Sequence, residues 1–201
     1  MARFRRDYLE ARRLERLTIL DLGSQDINGS YRPLFSEPAW RYLGIDMAAG
    51  KNVDVVLRDP YNWQEIEPSS ADVLISGQTF EHTEFFWLTM QQIARALKPG
   101  GLCCILAPSS GPEHRFPVDC WRVYPDGLRA VARYAGLETI EATTQWEDLP
   151  QYDSESNKWH DSMLVARKPH HRTGAARANV ARWLRSTAHR VETGRAITGS
   201  L

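Results

Sequence analysis

The chain has 201 residues, of which 42% are hydrophobic and 25% charged, a size that suits one domain of about 100–200 residues with short extensions. This balance supplies a buried core and excludes a disordered chain. Lys and Arg (25) balance Asp and Glu (25), so no global field draws the protein to nucleic acid or acidic lipid, and no run approaches the ~20 apolar residues of a membrane span.

The start, Met-Ala-Arg-Phe-Arg-Arg, lacks the apolar run of a signal peptide. Cys103, Cys104 and Cys120 cannot all pair, and the adjacent two fall in an apolar run, so the expected setting is reducing and cytoplasmic. Phe4, Tyr8, Leu9, Leu14 and Leu17 recur among charges at helical spacing, which predicts an amphipathic lead-in helix over residues 1–17. Thr18–Leu22 is a short β-branched run that reads as the first buried strand, and the Gly, Asn, Asp and Ser residues of GSQDINGSYRP predict a loop and then a short helix.

Tyr42–Asp46 and Val53–Leu57 read as the second and third strands, each delivering a carboxylate, Asp46 or Asp59, to one edge. Ala71–Ser76 is the fourth strand. Glu84–Leu97 is expected to be a helix stopped by Lys-Pro-Gly-Gly, which reads as a turn before a fifth strand at Leu102–Ala107. Ser109–Pro125 is long, polar and proline-bearing, the profile of a functional loop. Asp126–Ala135 is expected to be a helix with Asp126 as its N-cap, and strands near Leu137–Thr143 and Ser162–Ala166 complete the sheet. Strands alternating with helices predict an α/β fold with a mostly parallel, seven-stranded, Rossmann-like sheet covered by helices on both faces. Ligands in such sheets bind at the carboxyl ends of the strands, where Asp21, Gly23, Asp46, Asp59, Gly77 and Gln78 all map.

From Arg167 onward Arg167, Lys168, Arg172, Arg177, Arg182, Arg185, Arg190 and Arg195 face only Glu192. Residues 169–201 therefore read as a basic tail, with helical potential and a choice between packing on the domain and contacting nucleic acid, a membrane or a partner protein.

The series TILDLGSQDING, GID, VVLRDP, ADVLISGQTFEH and RALKPGGLCCILAPS resembles the class I S-adenosylmethionine-dependent methyltransferases, within them the group called methyltransferase type 11. The resemblance covers roughly Thr18 to Arg167 and implies a catalytic domain over residues 18–168. It implies that Asp21 and Gly23 meet the methionine portion of the cofactor, with Ser24, Gln25 and Asn28 in the same loop. Asp46 would accept the ribose hydroxyls and Asp59 the adenine amino group, with Met47 and Pro60 flanking the ring, while Gly77 and Gln78 would face the methyl group. The family usually carries Gly-x-Gly in the first loop; here Gln25 stands where the second glycine is expected, and Asn28 and Gly29 offer the turn instead. The absence of Gly-x-Gly-x-x-Gly argues against a nicotinamide dehydrogenase.

Transfer of a methyl group to a hydroxyl needs an oriented nucleophile and a base for its proton. In SSGPEHRFPVDCWRVYPDG, His114 is the first candidate base, with Asp119 orienting it or binding the acceptor; His82, directly after Glu81, is a rival base. A competing structural reading pairs Asp119 with Arg122 to fix the loop. Arg115 and Arg122 suit an anionic acceptor, and Trp121, Tyr124 and Trp146 suit stacking on a sugar or aromatic ring. Glu113, His114, Asp119 and Asp148 lack a metal-site spacing, so no metal is expected.

The resulting expectation is an S-adenosylmethionine-dependent methyltransferase, yielding S-adenosylhomocysteine, that acts on an oxygen of a small molecule or glycan. Methylation of RNA or protein nitrogen is an alternative from the basic tail, against which stands Gly77-Gln78-Thr79-Phe80 in place of an Asn/Asp-Pro-Pro-Tyr motif. A catalytically silent cofactor-binding or scaffold protein is the alternative from the altered glycine loop. The acceptor and the oligomeric state are not written in the sequence.

Overall fold

The computed structural model describes residues 1–170; the basic tail lies beyond them except for its first two residues, Pro169 and His170. Seven strands form one sheet in the order β3-β2-β1-β4-β5-β7-β6, with β1 at Leu17–Leu22, β2 at Trp40–Asp46, β3 at Val55–Val56, β4 at Ala71–Gly77, β5 at Leu97–Ala107, β6 at Glu138–Thr144 and β7 at Ser162–Arg167. Strands β1 to β5 run parallel, whereas β7 is antiparallel to both β5 and β6. This is the expected seven-stranded, mostly parallel sheet. Chain order reverses between β1 and β4, and such a switch opens a crevice at the strands' carboxyl ends.

The alternation of strand side chains divides the core into two layers. Leu20 and Leu22 of β1, Leu74 of β4 and Cys103 and Ile105 of β5 pack against Met90 and Ile93 of α2 (Phe86–Ala96) and Leu128 and Val131 of α3 (Pro125–Tyr134). Ile19, Val73, Ile75 and Cys104 face the other way, onto Phe4, Leu9, Phe35 and Trp40. The period of two puts adjacent Cys103 and Cys104 in opposite layers, and all three cysteines are free. No helix among the described residues is long and apolar enough to cross a membrane.

Several expected boundaries move. The lead-in is a helical segment of α1 (Ala2–Phe4), a π-turn over Arg5–Leu9 and a 3-10 turn over Glu10–Arg12, so it stops short of residue 17. Phe4 and Leu9 are buried, but Leu14 is 85% exposed and Leu17 already belongs to β1, so the helical spacing of the last two leucines was coincidental. The helix α2 starts at Phe86 and ends at Ala96. The Lys-Pro-Gly-Gly segment is no free turn: it lies within β5, where the Gly100 N–H donates to Lys168 O at 2.7 Å and the Lys168 N–H donates to Gly101 O at 2.9 Å. Gly100, at φ +82°, takes a backbone conformation that a side chain would resist.

Tyr124, not Asp126, occupies the N-cap position of α3, because Pro125 fits the first helical position where its missing N–H costs nothing. Asp126 sits in the first turn instead and pairs with Arg129. Between β1 and β2 the connection carries only a 3-10 turn over Arg32–Phe35. A further short helix, α4 (Ser154–Asn157), is capped by Asp153, whose side chain accepts the Ser156 N–H.

Candidate functional site

The acids and glycines expected at the sheet edge are close together. Asp21, 2% exposed at the end of β1, accepts the Tyr42 hydroxyl, and its burial pushes the carboxyl up to about 7 despite that bond and the nearby Arg32 guanidinium. The following loop folds back onto β2, with the Gly23 N–H donating to Ile45 O at 2.9 Å. Asp46 ends β2 and accepts the Gln25 N–H at 3.0 Å and the Ala48 N–H at 3.2 Å, which leaves lone pairs on both oxygens for a ligand's hydroxyls.

Two glycines make this crowding possible. Gly23 has φ +75°, and a Cβ there would run into Thr79; a Cβ on Gly77 would run into the Tyr31 ring. The space that Gln25 requires comes from a third: its side chain lies over Gly50, at the point where a Cβ would sit 2.6 Å from Gln25 Nε2. Gln25, which stands where the resemblance leads one to expect a second glycine, thus turns toward the loop after β2. Bare backbone, a buried carboxylate and a second carboxylate with spare lone pairs fit the methionine and ribose ends of S-adenosylmethionine.

Asp59 is exposed and accepts the Tyr61 N–H at 2.7 Å, a local turn contact of the kind an acid before proline makes. Pro60 O takes hydrogen bonds from Trp63 Nε1 at 3.0 Å and Thr89 Oγ1 at 3.1 Å, while Met47 is 46% exposed and Asn28 is exposed. Ser24 is buried and exchanges hydrogen bonds with Asn52, which also receives one from Arg32; Arg32 in turn pairs with Asp54 at 2.5 Å. Arg32, Tyr42 and Asn52 brace the loop after β1 although no motif announces them. Gln78, with φ +55°, donates to Asp161 Oδ2 at 2.8 Å, and burial raises the Asp161 carboxyl.

A second group forms just beyond β4. The 3-10 turn Phe80–His82 buries Glu81, and the Cys120 N–H and Trp121 N–H both reach Glu81 O, at 2.6 and 3.3 Å. These bonds stitch the loop 108–124 to the end of β4. They bring the His114 and His82 rings to 4.8 Å, edge to face. His82 Nδ1 lies 2.5 Å from Val118 O, so Nδ1 carries the proton and Nε2 keeps its lone pair; burial lowers the imidazole's pKa. Glu81 is 1% exposed, neither carboxylate oxygen has a hydrogen-bond partner, and burial pushes its carboxyl up to about 8.

Asp119 holds this loop in shape. It accepts both terminal nitrogens of Arg122, at 2.6 and 2.8 Å, and the His114 backbone N–H at 2.7 Å. The guanidinium, followed by that backbone bond, holds its carboxyl well below the usual carboxylate range. The His114 ring is not fixed by Asp119: Nδ1 lies 3.3 Å from Asp119 Oδ2 but makes no hydrogen bond. The ring instead packs on Trp159, centroid to centroid 4.5 Å. Arg115 pairs with Glu113, and Arg122 is committed to Asp119. Trp121 donates to Thr83 O and Glu84 O and meets Phe86 and Trp87 edge-on, while Tyr124 and Trp146 stack on each other at 6.1 Å.

Residues 20–105 match the family model of a methyltransferase domain. No curated protein matches the chain. Among solved structures, the fold is similar to that of the 1,6-didemethyltoxoflavin-N1-methyltransferase of Burkholderia thailandensis, solved with S-adenosylhomocysteine, at 15% identity over 80% of this chain and 75% of that one, with a TM-score of 0.60. It is similar to a protein described as a sarcosine dimethylglycine methyltransferase from Galdieria sulphuraria, at 16% identity over 78% and 80% of the two chains, TM-score 0.58. A Haloferax volcanii protein from a complex with a methyltransferase activator shares 20% identity over 78% and 84%, TM-score 0.58.

Proposed function

We propose that this chain is a class I, S-adenosylmethionine-dependent methyltransferase that moves a methyl group onto a hydroxyl oxygen of a small molecule or glycan; the match of residues 20–105 to a methyltransferase domain supports the first half of that reading. The observation that supports this reading is the joining of the loop 108–124 to the end of β4 through Glu81 O, which sets an imidazole pair beside the cofactor edge. The cofactor supplies an electrophilic methyl group on a sulfonium. With an acceptor hydroxyl held beside that methyl group, His114 would take the hydroxyl proton as the methyl group passes to the oxygen and S-adenosylhomocysteine leaves.

Each side chain then has a task. Asp46 takes the ribose hydroxyls, Asp21 answers the ammonium charge, and Asp59 with Met47 and Pro60 takes the adenine. Gly77 and Gln78 border the reacting methyl group. Asp119, through Arg122 and the His114 backbone, is a positioning residue rather than a proton carrier. His82, its Nδ1 occupied, is the secondary base. Tyr124 and Trp146, 53% and 64% exposed, offer rings for a sugar face.

Transfer of a radiolabelled methyl group from the cofactor to a panel of hydroxyl-bearing small molecules and glycans tests this reading. Incorporation into an alkali-stable methyl ether, lost in His114→Ala, is the expected result. Label that enters RNA or protein nitrogen instead would replace it.

A further inference from the structure

Glu81, His82 and His114 each present a ligand atom, and the three atoms lie within 4.8 Å of one another. We propose that these side chains form a binding site for one divalent transition-metal ion of the zinc class. Two residues adjacent in sequence and a third brought by a different loop converge on one point, and the fold holds them there through the Glu81 O hydrogen bonds.

The polar bookkeeping of the pocket asks for a cation. A buried carboxylate normally finds donors, yet both Glu81 oxygens are buried without one, and His114 Nδ1 is buried without one as well. Arg122, whose charge reaches Glu81, already gives both terminal nitrogens to Asp119. His82 supplies the third atom: with Nδ1 against Val118 O, its Nε2 is turned to within 3.7 Å of Glu81 Oε1. A backbone carbonyl on the far ring nitrogen is the support that metal-bound imidazoles usually have.

The donor set indicates the ion. Two imidazole nitrogens and one carboxylate suit zinc and its neighbours rather than calcium or magnesium, which take oxygen ligands. Ligand atoms on a common ion at about 2.1 Å stand roughly 3.4 Å apart in a tetrahedral site, so the group closes by small side-chain rotations. Three protein ligands leave a position open. The trio follows the end of β4 in sequence, and His114 would hold the ion in the metal-loaded protein and be available to take the hydroxyl proton in the metal-free one. The binding site itself does not depend on which acceptor is used.

The spacing of the sequence hides the trio, since Glu81 and His82 are adjacent and His114 lies a whole helix and strand downstream. Calorimetric titration of chelator-stripped full-length protein with zinc chloride is the test. One tightly bound equivalent is expected, weakened about tenfold or more in Glu81→Gln, His82→Gln and His114→Gln and unchanged in Glu113→Gln, an exposed control. A second readout needs no variant: zinc should protect His82 and His114 of the native protein from diethyl pyrocarbonate, scored by peptide mass spectrometry. Absence of zinc binding, or binding that ignores all three substitutions and leaves both histidines reactive, would overturn the site.

Discussion

Asp46 Oδ2 accepts the backbone N–H of Gln25 at 3.0 Å, so the acid expected to hold the ribose also closes the loop that approaches the methionine end. The two parts of the proposed cofactor site are one mechanical unit.

Replacement of Asp46 by Ala should therefore weaken S-adenosylmethionine by more than a lost ribose contact. Hydrogen bonds to a charged group contribute about 1.5–3 kcal/mol each, so a loss of roughly 10- to 100-fold in affinity is expected by calorimetry. Unchanged affinity would remove Asp46 from the site.

His114→Ala should behave oppositely, with cofactor affinity retained and kcat lowered by about 10²–10⁴, the usual worth of a positioned base. Parallel loss of cofactor binding would mean that the loop, not the imidazole, had been damaged. Arg122→Ala provides the comparison: it frees Asp119 and should lower both the melting temperature and kcat without abolishing proton transfer chemistry.

Asp21 gives the protein a pH signature. Burial pushes its carboxyl up to about 7 in the folded protein from the ordinary value of 3.8 expected in the unfolded chain, so the folded state holds the extra proton between those values. Stability then falls as pH rises through that window and levels above it, by an upper limit of roughly 4 kcal/mol from this group. Asp21→Asn removes this group's share of the slope while Glu81 and Asp161 keep theirs, so the stability of variant minus parent, from urea unfolding, should grow from pH 4 to pH 8. A constant difference would contradict the burial argument.

Gly77 tests the packing. Its φ is ordinary for any residue, so the cost of Gly77→Ala is spatial: the added methyl meets the Tyr31 ring. A melting temperature several degrees lower and loss of cofactor binding are expected together. Tyr31→Ala in the same background should restore part of the thermal stability.

The sheet was legible because its central strands are short, nearly continuous apolar runs, and because β2 and β4 end on Asp46 and Gly77 while β1 carries Asp21 next to its last residue and is followed by Gly23. The helix ends were less so. Leu14 and Leu17 continue an amphipathic spacing that the chain does not use, and Lys-Pro-Gly-Gly reads locally as a turn although a neighbouring strand end captures its backbone. The Arg32, Asn52 and Tyr42 brace depends on residues 10 to 20 positions apart meeting side by side, which no local pattern encodes. Likewise His114 could be picked out as a titratable residue on a long polar loop, whereas its convergence with Glu81 needs the hydrogen bonds from Cys120 and Trp121.

Binding of S-adenosylmethionine and S-adenosylhomocysteine to the purified full-length chain, measured by isothermal titration calorimetry, is the most direct test of the cofactor edge. One site of micromolar affinity is expected, with Asp46→Ala much weaker. A folded sample that takes up neither compound would mean that Gln25 and the Tyr31 ring close the site, and the chain would then have to work without the cofactor.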